Sequence, residues 1–370
     1  MMSRGFSIYL DLLRFGAALV VLLSHFAYPK YTDGRWLWVR ELNLGSDAVV
    51  VFFVLSGFVI ALVADRKPTG VGGFGFDRMT RLVSVALPAL LVGYALDRFG
   101  AGFSPEFYAG GVYNPLSLGE MLLRGLTFSN EFGQMATRMG TNGAYWSLSY
   151  EAVYYALFAI AFYMRGPRRV ALLGLGAVIA GVNILLLMPC WLLGVALYHR
   201  AQRPLLPRGL ALAMAILPLL AYAVALMTGV PDALFALTGT GFEPLRFSNE
   251  PIWNWLLALL FVVHLTGMMT LVKGASLDRV APAAKWLAGG SFSIYLVHFP
   301  VLVFIGAMLP GGGWGGDALL FSLIVIVCLL FAQVFERTLP RFRVMVRVLT
   351  AGPSGVSDGA PAVPPSAPAR

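Results

Sequence analysis

An apolar run near the start of the chain, DLLRFGAALVVLLSH, carries three ionisable residues: Asp11, Arg14 and His25. Charge at membrane depth is costly, so such residues are functional candidates by default. Arg14 and His25 are eleven positions apart, which places them within about 20° of each other around a helix and roughly 16 Å apart along it. Asp11 falls on the same stripe, one turn before Arg14. One helix face thus bears an acid–base pair towards one membrane surface and an imidazole towards the other. A neutral imidazole can act as a general base or a nucleophile, and a guanidinium fork suits phosphate oxygens. The plainer alternative has Arg14 snorkelling or pairing with Asp11 while His25 rests at the outer interface.

Other polar residues lie in apolar surroundings. In AYWSLSYEAVYYALF, Glu151 falls roughly 10 Å inside the outer helix end, with Ser147 and Tyr154 on its face. An interfacial aromatic belt accounts for Trp146 and the tyrosines, but not for a glutamate. Asp47, at the start of the second apolar run, reaches a similar outer depth to His25 and Glu151 if their helices adjoin. In FDRMTRLVSVALPALL, Arg78 and Arg81 share a helix face. They read either as a topology-setting pair or as a phosphate clamp. SFSIYLVHFP puts His298 mid-membrane before Pro300, where a structural and a functional role are equally open. His264 has no evident partner, and His199 beside Arg200 reads as a cytoplasmic flank. The spacing of these histidines matches no metal site. Cys190 and Cys328, both in apolar runs, give neither a disulfide framework nor a thiolate site.

The elements that must position these residues are membrane helices. The 370 residues are 58% hydrophobic and 12% charged, with a mean hydropathy of +0.77. A soluble domain carries roughly 25% charged residues. The expected fold is an all-α polytopic membrane protein of about ten transmembrane helices, near 6–28, 46–64, 79–98, 144–164, 168–187, 188–200, 208–228, 252–273, 286–309 and 316–336. The sixth is short enough to be tilted, half-length or fused to its neighbour. Asp11 and Arg14 interrupt any signal-peptide core, so an uncleaved first span is expected.

The formal charge of +9 reflects basic loops placed by the positive-inside rule rather than a nucleic-acid partner. Arg66, Lys67, Arg78, Arg81, Arg165, Arg168, Arg169, Arg200, Arg203, Arg208, Lys273, Arg279, Lys285, Arg337, Arg341, Arg343 and Arg347 fall in alternate connections. Lys30, Arg35 and Arg40, in the first outer loop, depart from the pattern. Both termini are assigned to the cytoplasm. The domain reading is a membrane unit over 1–350, with a long outward loop at 99–143, and a disordered Pro/Ala-rich tail over 351–370. Within the loop, SLGEMLLRGL reads as a short helix opened by a Ser117/Glu120 capping box. No internal repeat is evident.

The ordered set of Arg14 and His25 with ten residues between them, GSDAVVVFFVLSGFVI, the Arg78–Arg81 pair, WSLSYE and SIYLVHFP resembles the acyltransferase-3 family of bacterial membrane O-acyltransferases. The resemblance spans nearly the whole chain apart from the tail. It implies a multi-pass protein of the bacterial inner membrane that moves an acyl group, acetyl first among candidates, from cytoplasmic acyl-CoA to a hydroxyl of an extracytoplasmic glycan. No bound cofactor is implied; the partners are the donor, the acceptor and the bilayer. His25 is the implied catalytic residue, and Arg14, Arg78 and Arg81 are implied in acyl-CoA binding; Glu151, the second catalytic candidate, or Asp47 would orient His25 or hold the acceptor. Asp11, Asp47, Trp146, Ser149, Tyr295 and His298 are the supporting or acceptor-binding candidates. General-base and acyl-histidine chemistry at His25 both remain open. Some members append an SGNH hydrolase-like domain; none is seen here, so any such step is expected from a separate partner. A transporter or glycan flippase also accommodates intramembrane charge, but lacks support from inverted repeats or paired broken helices.

Overall fold

Ser3 accepts a hydrogen bond from the Phe6 amide at 3.2 Å, and this cap starts α1 (Arg4–Phe26), the helix that carries Asp11, Arg14 and His25. In a computed structural model, the described residues are 3–66, 69–133, 135–238, 243–309 and 312–351. The tail expected at 351–370 lies outside them from 352 onwards. After α1 come α2 (Leu44–Arg66), α3 (Gly70–Phe103), α4 (Leu118–Leu126), α5 (Trp146–Tyr163) and α6 (Gly166–Ala201). The remaining long helices are α7 (Arg208–Met227), α8 (Pro251–Leu271), α9 (Ser291–Met308), α10 (Gly313–Phe331) and α11 (Leu339–Ala351). The described residues form an all-helical bundle, in which eight helices are long and apolar enough to cross a membrane.

The difference between eight and the expected ten has two local causes. Serines, tyrosines and Glu151 dilute the apolarity of α5, although its buried residues place it inside the bundle. The fifth and sixth expected spans form the single run α6, broken at Gly181 with φ 82° and ψ 168°. Only glycine takes that conformation without strain. The break therefore lies at Gly181 rather than at the expected junction near 188. Pro189 looks like the natural stop in sequence, yet the helix passes through it. The Gly133 amide caps the arm before the break, donating to the Ile179 and Ala180 carbonyls at 3.2 and 3.1 Å.

The two arms serve different neighbours. Before the break, α6 runs back along α5, where Gly176 faces Leu157. After it, α6 runs beside α2 at very close range. A Cβ on Gly57 would lie 2.0 Å from the Trp191 carbonyl oxygen, and one on Gly194 would lie 2.0 Å from that of Val54. Small residues let membrane helices approach in this way, trading side-chain volume for backbone contact. Helices α2 and α9 are the most buried spans and α7 the least, so the first two form the centre and α7 the lipid-facing rim.

The outward loop is packed down onto this centre. Its helix α4 begins as expected, with the Ser117 hydroxyl accepting from the Glu120 amide at 3.2 Å. Only half of the capping box forms, because the Glu120 carboxylate turns to Arg124 at 3.0 Å. Asp97 accepts from the Thr141 amide (2.8 Å) and hydroxyl (2.6 Å), and Asn142 donates to the Leu296 carbonyl of α9 at 2.8 Å. The first outer loop is tied to α10 through Asp317, which accepts from Arg35 at 2.6 and 2.7 Å and from Trp36 at 3.0 Å. The hydrogen bond to Asp317 is the main reason the Arg35 guanidinium holds its proton above its ordinary range.

The α2–α6 contact gives a direct test. Gly57→Ala and Gly194→Ala should each cost about 1–3 kcal/mol through overpacking, measured as loss of thermal stability in detergent. Gly209→Ala, which meets no atom within 4 Å, should behave as wild type; equal stability of all three would remove the close-approach argument.

Candidate active site

His25 ends the stripe on α1, and the residue it meets is His298 on α9. Its Nδ1 lies 2.9 Å from His298 Nε2. His298 Nδ1 in turn lies 2.8 Å from the Ile294 carbonyl oxygen. A carbonyl only accepts, so His298 carries its hydrogen on Nδ1 and offers the Nε2 lone pair. With both rings neutral, His25 must donate from Nδ1, which leaves its Nε2 lone pair free for chemistry. Ring stacking fixes the plane of the imidazole: Phe299 lies 4.5 Å from it and Tyr28 6.4 Å, centroid to centroid. His298 is fully buried, whereas His25 is only partly so.

On the arginine-rich side of this pair is a crevice. Arg14 enters it from α1, Arg78 and Arg81 from α3, Glu151 and Tyr155 from α5, and Ser147 and Tyr295 line it as well. Glu151 Oε1 accepts from the Ser56 hydroxyl at 2.6 Å and from the Tyr155 hydroxyl. Trp191 supports Ser56 with an N–H donated at 3.2 Å. Arg81 lies 3.4 Å from Glu336, whose other oxygen accepts from the Ser293 amide and hydroxyl at 2.9 Å each. Among the described residues, neither Arg14 nor Arg78 has a carboxylate within 4 Å, and Arg78 Nε is buried without a hydrogen-bond partner. Unpaired guanidiniums in a half-enclosed crevice have the chemistry to hold a polyanion such as a phosphate ester.

A second cavity opens on the opposite side of the histidines. Tyr28, Lys30, Tyr31, Arg138, Phe299 and the turn at 110–112 line it. Tyr28 and Phe299 are the rings that stack on His25, while Tyr295 of the first crevice sits one helical turn before His298, 6.5 Å away between centroids. The histidine pair therefore stands between two cavities.

The structure gathers Arg14, Arg78, Arg81, Glu151 and Tyr295 around one crevice and joins His25 to His298. It does not bring Glu151 to His25: the expected carboxylate neighbour of the imidazole is replaced by a second imidazole. Among the described residues, Asp11 makes no ion pair within 4 Å, including with Arg14. Asp47 is turned away towards α7 and α8, accepting from Tyr222 at 2.7 Å and Trp253 at 2.9 Å. Trp146 is stacked on Phe247 at 4.2 Å rather than set in a lipid interface. Ser149 donates to Asn130 of the outward loop at 2.6 Å. Tyr295 donates to the Ala144 carbonyl at 3.1 Å and lies 2.7 Å from Ser147 Oγ. His264 finds partners after all, with Tyr9 at 2.5 Å and the Ala215 carbonyl at 2.7 Å.

Sequence reasoning passed over Ser56, Tyr155 and Glu336. Glu336 closes the turn Ala332–Glu336, where the helix widens to i→i+5 pairing; such local widenings recur at functional sites. The available signal was an acidic residue ending an apolar run. Its pairing with Arg81, 255 positions away, had none.

Comparison with known proteins follows from this geometry. Residues 7–337 match the family described as Acyltransferase domain. The chain is 28% identical over 328 residues to the Exopolysaccharide production protein ExoZ of Rhizobium meliloti (strain 1021), covering 85% of this chain and 96% of that protein. It is 26% identical over 340 residues to Acyltransferase MdmB of Streptomyces mycarofaciens, covering 82% of this chain and 80% of that one. No solved structure matches it.

The hydrogen-bond chain predicts a tautomer. In ¹⁵N-histidine-labelled protein with neutral rings, His25 should carry hydrogen on Nδ1 and none on Nε2; the opposite tautomer would break the proposed ordering of donors.

Proposed function

The chain belongs to the acyltransferase family, and from that premise we propose that it is an inner-membrane O-acyltransferase. In this reading it moves an acyl group, acetyl first, from cytoplasmic acyl-CoA to a hydroxyl of an extracytoplasmic glycan. The observation that carries the reading is the position of the His25–His298 pair between two cavities. The basic loops support a cytoplasmic position for the crevice with Arg14, Arg78 and Arg81, where the donor phosphates would bind. The thioester arm would then pass Ser147 and Tyr295 towards His25. An exopolysaccharide relative supports a surface glycan as the acceptor class.

In the proposed step, His25 Nε2 takes the proton of the acceptor hydroxyl as general base. The hydroxyl oxygen forms a bond to the thioester carbonyl carbon, the C–S bond breaks, and the imidazolium returns the proton to the leaving thiolate. His298 is a positioning residue: it holds His25 in the tautomer whose Nε2 is basic, the role an orienting group plays for a catalytic imidazole. Glu151, held by Ser56 and Tyr155, acts in the donor crevice rather than on His25. Arg81 is oriented by Glu336.

His25→Ala should abolish acyl transfer from labelled acetyl-CoA while leaving membrane insertion intact; retained transfer would falsify the role of His25. His298→Ala should lower kcat by about 10²-fold, within the range for removing general-base assistance, and alter the pH–rate profile. An unchanged profile would leave His298 a packing residue only. Arg78→Ala and Arg81→Ala should raise the KM for acetyl-CoA at least tenfold with a smaller effect on kcat, and unaltered donor affinity in both would remove the phosphate clamp.

A further inference from the structure

Outer-side cations of this protein differ in how they are paired. Arg35 is bound by Asp317 and Asp33, and Arg124 by Glu120. Lys30, Arg40 and Arg138 have no carboxylate within 4 Å among the described residues. These three gather at the cavity beside His25. Lys30 and Arg138 line it directly. Arg40 lies over Tyr28, a lining ring, at 3.5 Å from its centroid.

Neutral groups hold each cation in place. Arg138 Nη1 donates to the Gly111 and Val112 carbonyls, both at 3.1 Å, so Nη2 and Nε keep unused hydrogens. Arg40 Nη1 donates to the Ser24 carbonyl at 3.1 Å. Lys30 donates to the Phe107 carbonyl and lies 3.8 Å over that ring. Carbonyls and ring faces orient a cation without neutralising it, so the positive charge is left for an incoming ligand. Lys30, Arg35 and Arg40 are also the basic residues that break the positive-inside pattern. Arg35 is accounted for by its structural ion pair; the other two are not. The cavity walls meanwhile offer Tyr28, Tyr31 and Phe299, whose flat apolar faces suit the C–H face of a pyranose ring.

Resting on the acyl-transfer reading, we infer that this outer cavity binds an acidic sugar residue of the acceptor glycan. Its carboxylate or phosphate lies among Lys30, Arg40 and Arg138, its ring lies on the aromatic faces, and one hydroxyl is turned towards His25. The anion fixes which hydroxyl reaches Nε2, so the cations act as specificity determinants.

The test uses membranes bearing the full chain, labelled acetyl-CoA, and alkali-de-esterified envelope glycan from cells lacking the gene. The glycan is split by anion exchange into retained and unretained pools. The expected result is at least tenfold more label in the retained pool. Carbodiimide amidation should abolish that labelling if the anion is a carboxylate, and aqueous hydrofluoric acid should abolish it if the anion is a phosphate diester. Label that survives both treatments, or that enters the unretained pool equally, overturns the inference while leaving acyl transfer standing. No label in either pool removes the acyl-transfer reading and the inference with it. With the retained pool as acceptor, Arg40→Gln and Arg138→Gln should each raise acceptor KM at least tenfold and flatten its salt dependence. Arg40→Lys and Arg138→Lys should recover most of that affinity if charge is what is read. A fall in kcat at unchanged acceptor KM would assign the arginines to the transition state instead and overturn the inference.

Discussion

A polar atom at membrane depth has no water to turn to, so it must find its partner inside the protein. The bond between His25 and His298 shows what this demands. One imidazole comes from α1 and the other from α9, 273 positions later, and neither helix can shift without losing it. The Ile294 carbonyl then sets the hydrogen on His298, and His298 sets it on His25. A proton position at the centre of the protein thus depends on the relative placement of its first and penultimate spans.

The same requirement arranges the polar groups around that pair. Glu336 is satisfied by the backbone and side chain of Ser293 and Asp47 by Tyr222 and Trp253, whereas Glu151 takes both its hydroxyl partners, from α2 and α5, on Oε1. Where partners are supplied in full, the group is structural. Where they are withheld, as at Arg78 Nε and among the outer cations, the group remains available to a ligand. This difference separates Asp47 from Arg78 although both are charged residues in apolar helices.

Close backbone approach makes the arrangement possible. Gly57 and Gly194 let α2 and the second arm of α6 meet at backbone distance, which brings Trp191 to Ser56 and so to Glu151. Gly143 gives room to the edge of Phe299, where an added Cβ would come within 2.9 Å of the ring, and Phe299 stacks on His25. The outward loop reaches the same place through Asn142 and the Leu296 carbonyl. It is part of the wall around the histidines rather than a loose connection.

Much was legible in the residues alone because it depends on short-range regularities. Apolar runs mark spans, the helical period puts Arg14 and His25 on one stripe, and basic loops assign sides. Those regularities determined the all-helical membrane class and the members of the arginine crevice. The tertiary structure decided the pairings. It gave His25 an imidazole partner instead of a carboxylate, turned Asp47 towards α7 and α8, moved the α6 break to Gly181 and linked Arg81 to Glu336. The physical reason is common to these cases. A period along one helix says which residues share a face, but which face meets which neighbour depends on packing among helices distant in the chain, and only that packing satisfies or exposes a buried polar atom.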